Sequence, residues 1–415
     1  MRRIWTAALM LAWPAVSQTQ EQIAHKFVDL LAHQDFTKAE QYFDPQVAAL
    51  MPASKLEAVW ESVVSKAGPY SRELGIRTQS MGPRSIVVVD CQFAKRALSI
   101  QLVLNGDGKI SGLHFLPYHA AVEAKIPEGV TEKPLDVLDL PGTLTIPQGT
   151  GPFPGLVLVH GSGPNDRDET IGPNKPFRDL AWGLAARGIA VYRYDKRTRV
   201  HPQLIAGFTV KEEVTDDALA AVNLLRKTAQ IDPKRIFVLG HSLGGMLLPR
   251  IGKADPGIAG LISMAGETQP LEDVIVRQIE LLAPAKVEQM KEQAEAVKNM
   301  KPGGAPAFGV PASYWLDLRG YNPAELAKTL KQPMLILQGE RDYQVTMKDF
   351  EAWKKALTGR PNVTFKTYPS LNHLFLAGEG ESRPAEYQTP GRVPDAVLDD
   401  VAKWIKEPAG ASRNP

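Results

Sequence analysis

The 415-residue sequence holds a single cysteine, Cys91, which excludes an intramolecular disulfide and any metal site built from cysteines. Charge of one sign is also lacking: 48 Lys and Arg stand against 46 Asp and Glu, and a formal net charge of +2 exerts no strong pull on nucleic acid or an anionic membrane. Long hydrophobic runs are missing too. The stretch Ile4 to Trp13 is too short to span a bilayer, so no stable membrane span is expected in the mature chain.

What remains, with 44% hydrophobic and 23% charged residues, is the composition of an ordinary globular protein, long enough for more than one domain and a sizeable core. The first residues read as an export signal over 1–17, with a frayed apolar N-terminus or a retained anchor as the alternative. Arg2 and Arg3 precede the short apolar stretch, and Ala15-Val16-Ser17 supplies a small-x-small cleavage site. The mature chain then begins near Gln18 and works in the periplasm or outside the cell. The lack of disulfides is compatible with this, because a large core needs no staples. Cys91, inside the apolar run 86–93, reads as a core thiol.

From Glu21 to about Tyr70 apolar residues recur at helical spacing, as in Ile23, Phe27, Leu30 and Leu31, then Leu56, Val59, Trp60 and Val63. After Gly68-Pro69 four short strand-like runs follow, divided by Gly82-Pro83, Lys95-Arg96 and Asn105-Gly106-Asp107-Gly108. Residues 21–116 are therefore expected to form a small α+β domain, similar to the cone-shaped domains of the cystatin and ketosteroid-isomerase type. His25, His33 and His114 stand apart in it and read as surface or core histidines. A proline-punctuated linker is expected over 117–134. Strand and helix patterns then alternate from Leu135, and continuous apolar strands between amphipathic helices demand a mostly parallel sheet covered on both faces. The alternation stops at about 267 and resumes at Met334. The charged, helix-rich insertion between, about 267–332, reads as a cap over the carboxyl ends of the strands.

Gly240-His241-Ser242-Leu243-Gly244 spells G-x-S-x-G directly after the apolar run 235–239 and before a helical segment. The pattern alone is common, but this context places Ser242 on a tight strand-to-helix turn that exposes its hydroxyl as a nucleophile and aims the Leu243 amide at an oxyanion beside it. Such a serine needs a histidine base and a carboxylate later in the chain. Of eight histidines only His373 lies beyond Ser242, just after the strand-like run 363–368. For the acid, Glu340 and Asp342 both follow the run Met334 to Leu337, and either could instead be a solvated loop carboxylate paired with Arg341. A second oxyanion donor is expected from the loop His160-Gly161-Ser162-Gly163-Pro164-Asn165-Asp166, through the Ser162 amide. No lysine follows these glycines in phosphate-loop spacing, and His160 reads as packing beneath the loop. Asn165, Asp166, Arg167 and Asp168 form a polar lip that either positions substrate, braces the loop or is simply solvated. His160, His241, Asp166 and Asp168 show no helix-spaced ligand pair, so neither a metal nor another cofactor is expected.

With these parts in this order, residues 135–407 resemble the α/β-hydrolase superfamily. The segments His160 to Asp168, Tyr194-Asp195-Lys196-Arg197-Thr198, Gly240 to Gly245 and Ser313 to Leu318 are similar to those of a group of bacterial carboxylesterases in which a small domain of unassigned function precedes the hydrolase. The resemblance implies Asp342 as the acid, because an Asp three residues past the glycine ending this strand holds that place in the family. It also implies hydrolysis of short acyl esters, with a small-molecule ester as the partner. A peptidase, amidase, lactonase or acyltransferase would use the same triad, and a secreted binding protein with a silent hydrolase fold is a second alternative. Leu271, Ile275, Tyr314, Trp315 and Leu318 either line an acyl pocket in the cap or pack within it.

Overall fold

The computed structural model describes residues 19–81, 84–118, 125–202 and 207–408, so the export signal read at 1–17 lies outside the described residues. The chain divides into two compact units, Met1–Tyr118 and His119–Pro415.

In the first unit Thr19 begins the helix Gln20–Ala32 with a capping box, its hydroxyl accepting from the Gln22 amide while the Gln22 side chain accepts from the Thr19 amide. The helix buries Ile23, Phe27, Leu30 and Leu31, the residues its spacing singled out. Four strands follow the helix Ala53–Ala67: β1 (Tyr70–Met81), β2 (Arg84–Phe93), β3 (Ala97–Leu104) and β4 (Ile110–Pro117), an antiparallel meander in chain order. Alternate residues of β2, namely Val87, Val89, Cys91 and Phe93, join Ile100, Leu102 and the two helices in one apolar core. Burial pushes the Cys91 thiol up to about 12, the state of an inert core thiol. His25 and His33 are exposed and pair locally with Glu73 and Asp29, and His114 is exposed as well.

The second unit is an eight-stranded sheet in the order β12-β11-β10-β9-β7-β8-β6-β5. Its strands are β5 (Val130–Pro134), β6 (Gly142–Pro147), β7 (Phe153–Val159), β8 (Ala190–Tyr194), β9 (Ile231–His241), β10 (Gly260–Met264), β11 (Met334–Gly339) and β12 (Val363–Tyr368). The six from β12 to β8 run parallel; β6 and β5 are antiparallel to their neighbours. Strands β10 and β11 are buried along their whole length, because separate apolar layers cover the two faces of the sheet. Each fully buried aliphatic side chain there stabilises the fold by about 1.5–3 kcal/mol. The linker expected over 117–134 is corrected at its end, where Val130–Pro134 forms β5. The prolines that suggested a linker are tolerated because β5 is the edge of the sheet and Pro134 needs no ladder N–H there.

The insertion between β10 and β11 carries the helices Leu271–Leu282, Val287–Lys298, Ala312–Leu318 and Pro323–Ala327. It is tied to the helix Leu243–Ala254 by the Tyr321 hydroxyl, which donates to the Met246 carbonyl at 2.7 Å, and by Arg250, which donates to the Asp317 carbonyl at 2.6 Å. Leu271, Tyr314, Trp315 and Leu318 are buried in the core shared with that helix, and Ile275 packs on its edge.

Candidate active site

Ser242 sits between β9 and the helix Leu243–Ala254 with φ 54° and ψ −119°, a left-handed conformation that side-chain-bearing residues rarely adopt. The strain, about 1–3 kcal/mol, is held by the neighbouring strand: the Ser242 amide donates to the Met264 carbonyl at 3.0 Å. The flanking glycines are required by close approach. A Cβ on Gly240 would stand 2.2 Å from the Gly244 carbonyl oxygen, and one on Gly244 would stand 2.3 Å from that of Val159. The turn therefore closes only with hydrogen at both positions, and it leaves Ser242 at the carboxyl end of the sheet.

Two further candidates meet there. The loop after β12 brings His373 to the loop after β11, and His373 Nδ1 lies 2.7 Å from Asp342 Oδ2, both side chains buried. The Asp342 carboxylate is itself fixed, since Oδ1 accepts from the Gln344 and Val345 amides at 2.8 and 2.9 Å and Oδ2 from Gln338 Nε2 at 3.2 Å. That bond to Nδ1 leaves the other ring nitrogen of His373 to act as acceptor. Glu340, the rival acid, is exposed and accepts from Thr367. Arg341 pairs with Glu386, leaving Asp342 to the histidine.

The glycine loop after β7 passes beside the nucleophile: a Cβ on Gly161 would stand 3.1 Å from Ser242 Cβ. Buried polar groups hold it on both sides. The Gly161 amide donates to Glu169 Oε1 at 2.7 Å, and its carbonyl accepts from Lys196 Nζ at 2.8 Å. Lys196 is balanced by Glu213, 3.4 Å away, which also accepts from Thr198. Asn165 Nδ2 donates to the Gly161 and Ser162 carbonyls, while Arg167 pairs with Asp195 and Asp168 pairs with Arg193 and Lys175. The polar lip is thus a brace for the loop. Ser162 stands exposed at its tip. His160 is buried and packs on Phe177 and Tyr194, and burial pushes its pKa down to about 4, so it stays neutral.

Like Glu213, two further buried carboxyls escaped the sequence reading. Glu169 lies 2.9 Å from His241 Nδ1, and His241 Nε2 lies 2.9 Å from the His373 carbonyl oxygen. Burial opposes both charges, but their mutual attraction and the Gly161 amide outweigh it, holding Glu169 below and His241 above their ordinary values. Glu267, three residues past β10, accepts a 3.4 Å hydrogen bond from the Ser242 hydroxyl, which is directed to it and not to His373. The position of Glu267 just beyond a strand end, like that of Asp342 beyond β11, was the signal available. Lys196 lay within the segment Tyr194 to Thr198, although nothing in its surroundings announced a buried cation.

Residues 156–387 match the alpha/beta hydrolase family, over more than half of the chain. Residues 24–113 match a family described as a protein of unknown function (DUF3887). The chain belongs to the alpha/beta hydrolase family. It is 40% identical over 398 residues to Esterase EstD of Thermotoga maritima, covering 93% of this chain and 95% of that protein. It is 25% identical over 258 residues to the mitochondrial acyl-coenzyme A thioesterase 2 of Homo sapiens, covering 60% of this chain and 48% of that one. Among solved structures, a Pyrococcus furiosus esterase aligns at 17% identity over 68% of this chain and 92% of its own, with a TM-score of 0.46.

Proposed function

We propose that this protein is a serine carboxylesterase that cleaves short acyl esters through an acyl-enzyme, with Ser242 as nucleophile, His373 as base and Asp342 as acid. The observation that carries the reading is the buried 2.7 Å contact of His373 Nδ1 with Asp342, beside a serine held on a strained turn. The esterase relative supports the substrate class.

In this reading Ser242 turns from Glu267 to His373 when substrate enters, and such catalytic contacts commonly tighten only in the complex. His373 takes the hydroxyl proton as Oγ attacks the ester carbonyl, and Asp342 stabilises the imidazolium. The Leu243 and Ser162 amides receive the oxyanion, and each such donor typically contributes about 3–4 kcal/mol to the barrier reduction. The imidazolium then protonates the departing alcohol. Water, deprotonated by His373, releases the acid from Ser242. The signal-like sequence pattern of residues 1–17 supports action outside the cytoplasm.

The test is burst release of 4-nitrophenol from 4-nitrophenyl butyrate, together with labelling by a fluorophosphonate. Both are expected of the native chain and neither of Ser242→Ala; unchanged turnover by the variant would overturn the reading.

A further inference from the structure

Glu267 occupies a place the mechanism above does not use. Its segment is held from several sides. Ala265 adopts φ 51°, the Gly266 carbonyl accepts from Trp353 Nε1 at 2.8 Å, and the Thr268 amide and hydroxyl both donate to Asp349 Oδ1, at 3.0 and 2.9 Å. Asp349 is in turn paired with Arg277 at 2.9 Å. A left-handed alanine and a buried ion pair are a costly support for one side chain.

That side chain is 2% exposed, with Oε1 at 3.4 Å from Ser242 Oγ and Oε2 among the buried atoms that have no hydrogen-bond partner. Among the described residues no cation makes a hydrogen bond or ion pair with it: the nearby Arg277 attracts it but donates through Nη2 to Asp349 and the Gln344 carbonyl. A buried polar atom without a partner is expensive, and one carried beside the reacting oxygen is explained if the partner arrives with the substrate.

We propose that Glu267 is a substrate-recognition residue, and that its partner is a hydroxyl borne on the acyl chain close to the scissile carbonyl, so that hydroxyacyl esters are preferred to plain esters of equal length. This rests on the esterase reading and narrows its substrate class. The reach follows from the nucleophile. A carbonyl about to be attacked lies roughly 3–3.5 Å from Oγ, and Glu267 Oε1 stands 3.4 Å from the same atom, so the two are at most about 7 Å apart, a gap that a hydroxyl on the second or third carbon of the acyl chain can bridge.

The charge of the surroundings selects the group. Burial pushes Glu267 up to about 7, the nearby Asp349 and Asp342 push in the same direction, and Arg277 and the Ser242 hydroxyl oppose them. Near neutrality the carboxyl is present both as acid and as anion. A hydroxyl serves both forms, donating to the anion and accepting from the acid. A carboxylate on the substrate would meet three acidic side chains and be repelled.

The experiment compares kcat/KM for 4-nitrophenyl 3-hydroxybutyrate and 4-nitrophenyl butyrate. The native enzyme is expected to prefer the hydroxyester by roughly ten- to hundredfold, the range of one hydrogen bond to a chargeable group. In Glu267→Leu the ratio should fall toward one, and in Glu267→Gln, whose amide still donates and accepts, part of it should remain. Equal rates on the two esters by the native enzyme would overturn the proposal without any variant. A ratio left unchanged in both variants would also overturn it, leaving Glu267 as a group that only positions Ser242. Cleavage of neither ester, without fluorophosphonate labelling, would overturn the esterase reading itself and this proposal with it.

Discussion

His241 and His373 pack ring against ring with centroids 4.7 Å apart, and His241 Nε2 reaches the His373 carbonyl at 2.9 Å. Behind His241 stands Glu169, which also holds the Gly161 amide, so one buried pair touches both the loop of the base and the glycine loop. The stability of this pair depends on pH in a defined window. Glu169 is depressed from 4.5, so its contribution is present above that value and lost as pH falls through its folded pKa. His241 is raised from 6.5, so its contribution is complete below that value and lost as pH rises through its folded pKa. The stability difference between the native chain and Glu169→Gln should therefore be largest between about pH 4.5 and 6.5. Breaking a buried pair costs about 3–5 kcal/mol, and urea unfolding at several pH values reads the window. A difference independent of pH would contradict the charged pair.

Asp342→Asn keeps the shape of the acid but presents an amide to His373 Nδ1, favouring the wrong tautomer. A fall of about 10⁴ in kcat on 4-nitrophenyl butyrate is expected, with KM changed little. Glu340→Gln, on an exposed side chain bonded to Thr367, should leave kcat within twofold of native. Steady-state kinetics of the two variants decide which carboxylate serves the histidine.

Glu267 should cost the fold stability at alkaline pH. Its folded pKa of about 7 lies above the ordinary 4.5, so the folded chain binds the proton more tightly and stability falls as pH rises from 4.5 through 7. Glu267→Gln removes that loss. A gain on the order of 1–3 kcal/mol at pH 8, shrinking to near zero at pH 4, is expected in thermal or urea unfolding. A variant no more stable than native at pH 8 would show that burial does not raise the pKa of this carboxyl.

Gly240→Ala should not fold into the native turn, because its methyl would meet the Gly244 main chain at 2.2 Å. Gly188→Ala, where a methyl meets nothing within 4 Å but φ is +83°, should fold with a modest loss of about 1 kcal/mol. Soluble yield and melting temperature separate the steric cost from the conformational one.

The Cys91 thiol, fully buried and pushed up to about 12, should not react with Ellman's reagent at pH 8 in the folded chain, and should react stoichiometrically in guanidinium chloride.

How much of this was legible follows from how locally each feature is determined. Ser242, His373 and the pair Glu340 and Asp342 stand just past apolar strands, and a strand end in a parallel sheet is a local signal; the choice of Asp342 over Glu340 came from the family resemblance. The helix spacing of Ile23, Phe27 and Leu31 and the turn at Asn105 likewise gave the first unit its order of elements. Val130–Pro134 was missed because a strand at a sheet edge differs from a linker only in having a partner, and that partner, β6, is chosen by the sheet as a whole. Glu169, Lys196, Glu213 and Glu267 were missed for a related reason. A charged residue reads as solvated until the packing that buries it is known, and each of these is enclosed by segments distant in the chain.

The position of His373 orders events in time. The nucleophile turn, the braced glycine loop and Asp342 all precede β12, whereas the base follows this last strand, which adds to the sheet beside β11. A chain emerging from the ribosome carries Ser242 for more than a hundred residues before His373, the proposed base, is made. Under the proposed mechanism hydrolysis therefore requires the far edge of the sheet to have closed, because His373 is placed by the loop after β12.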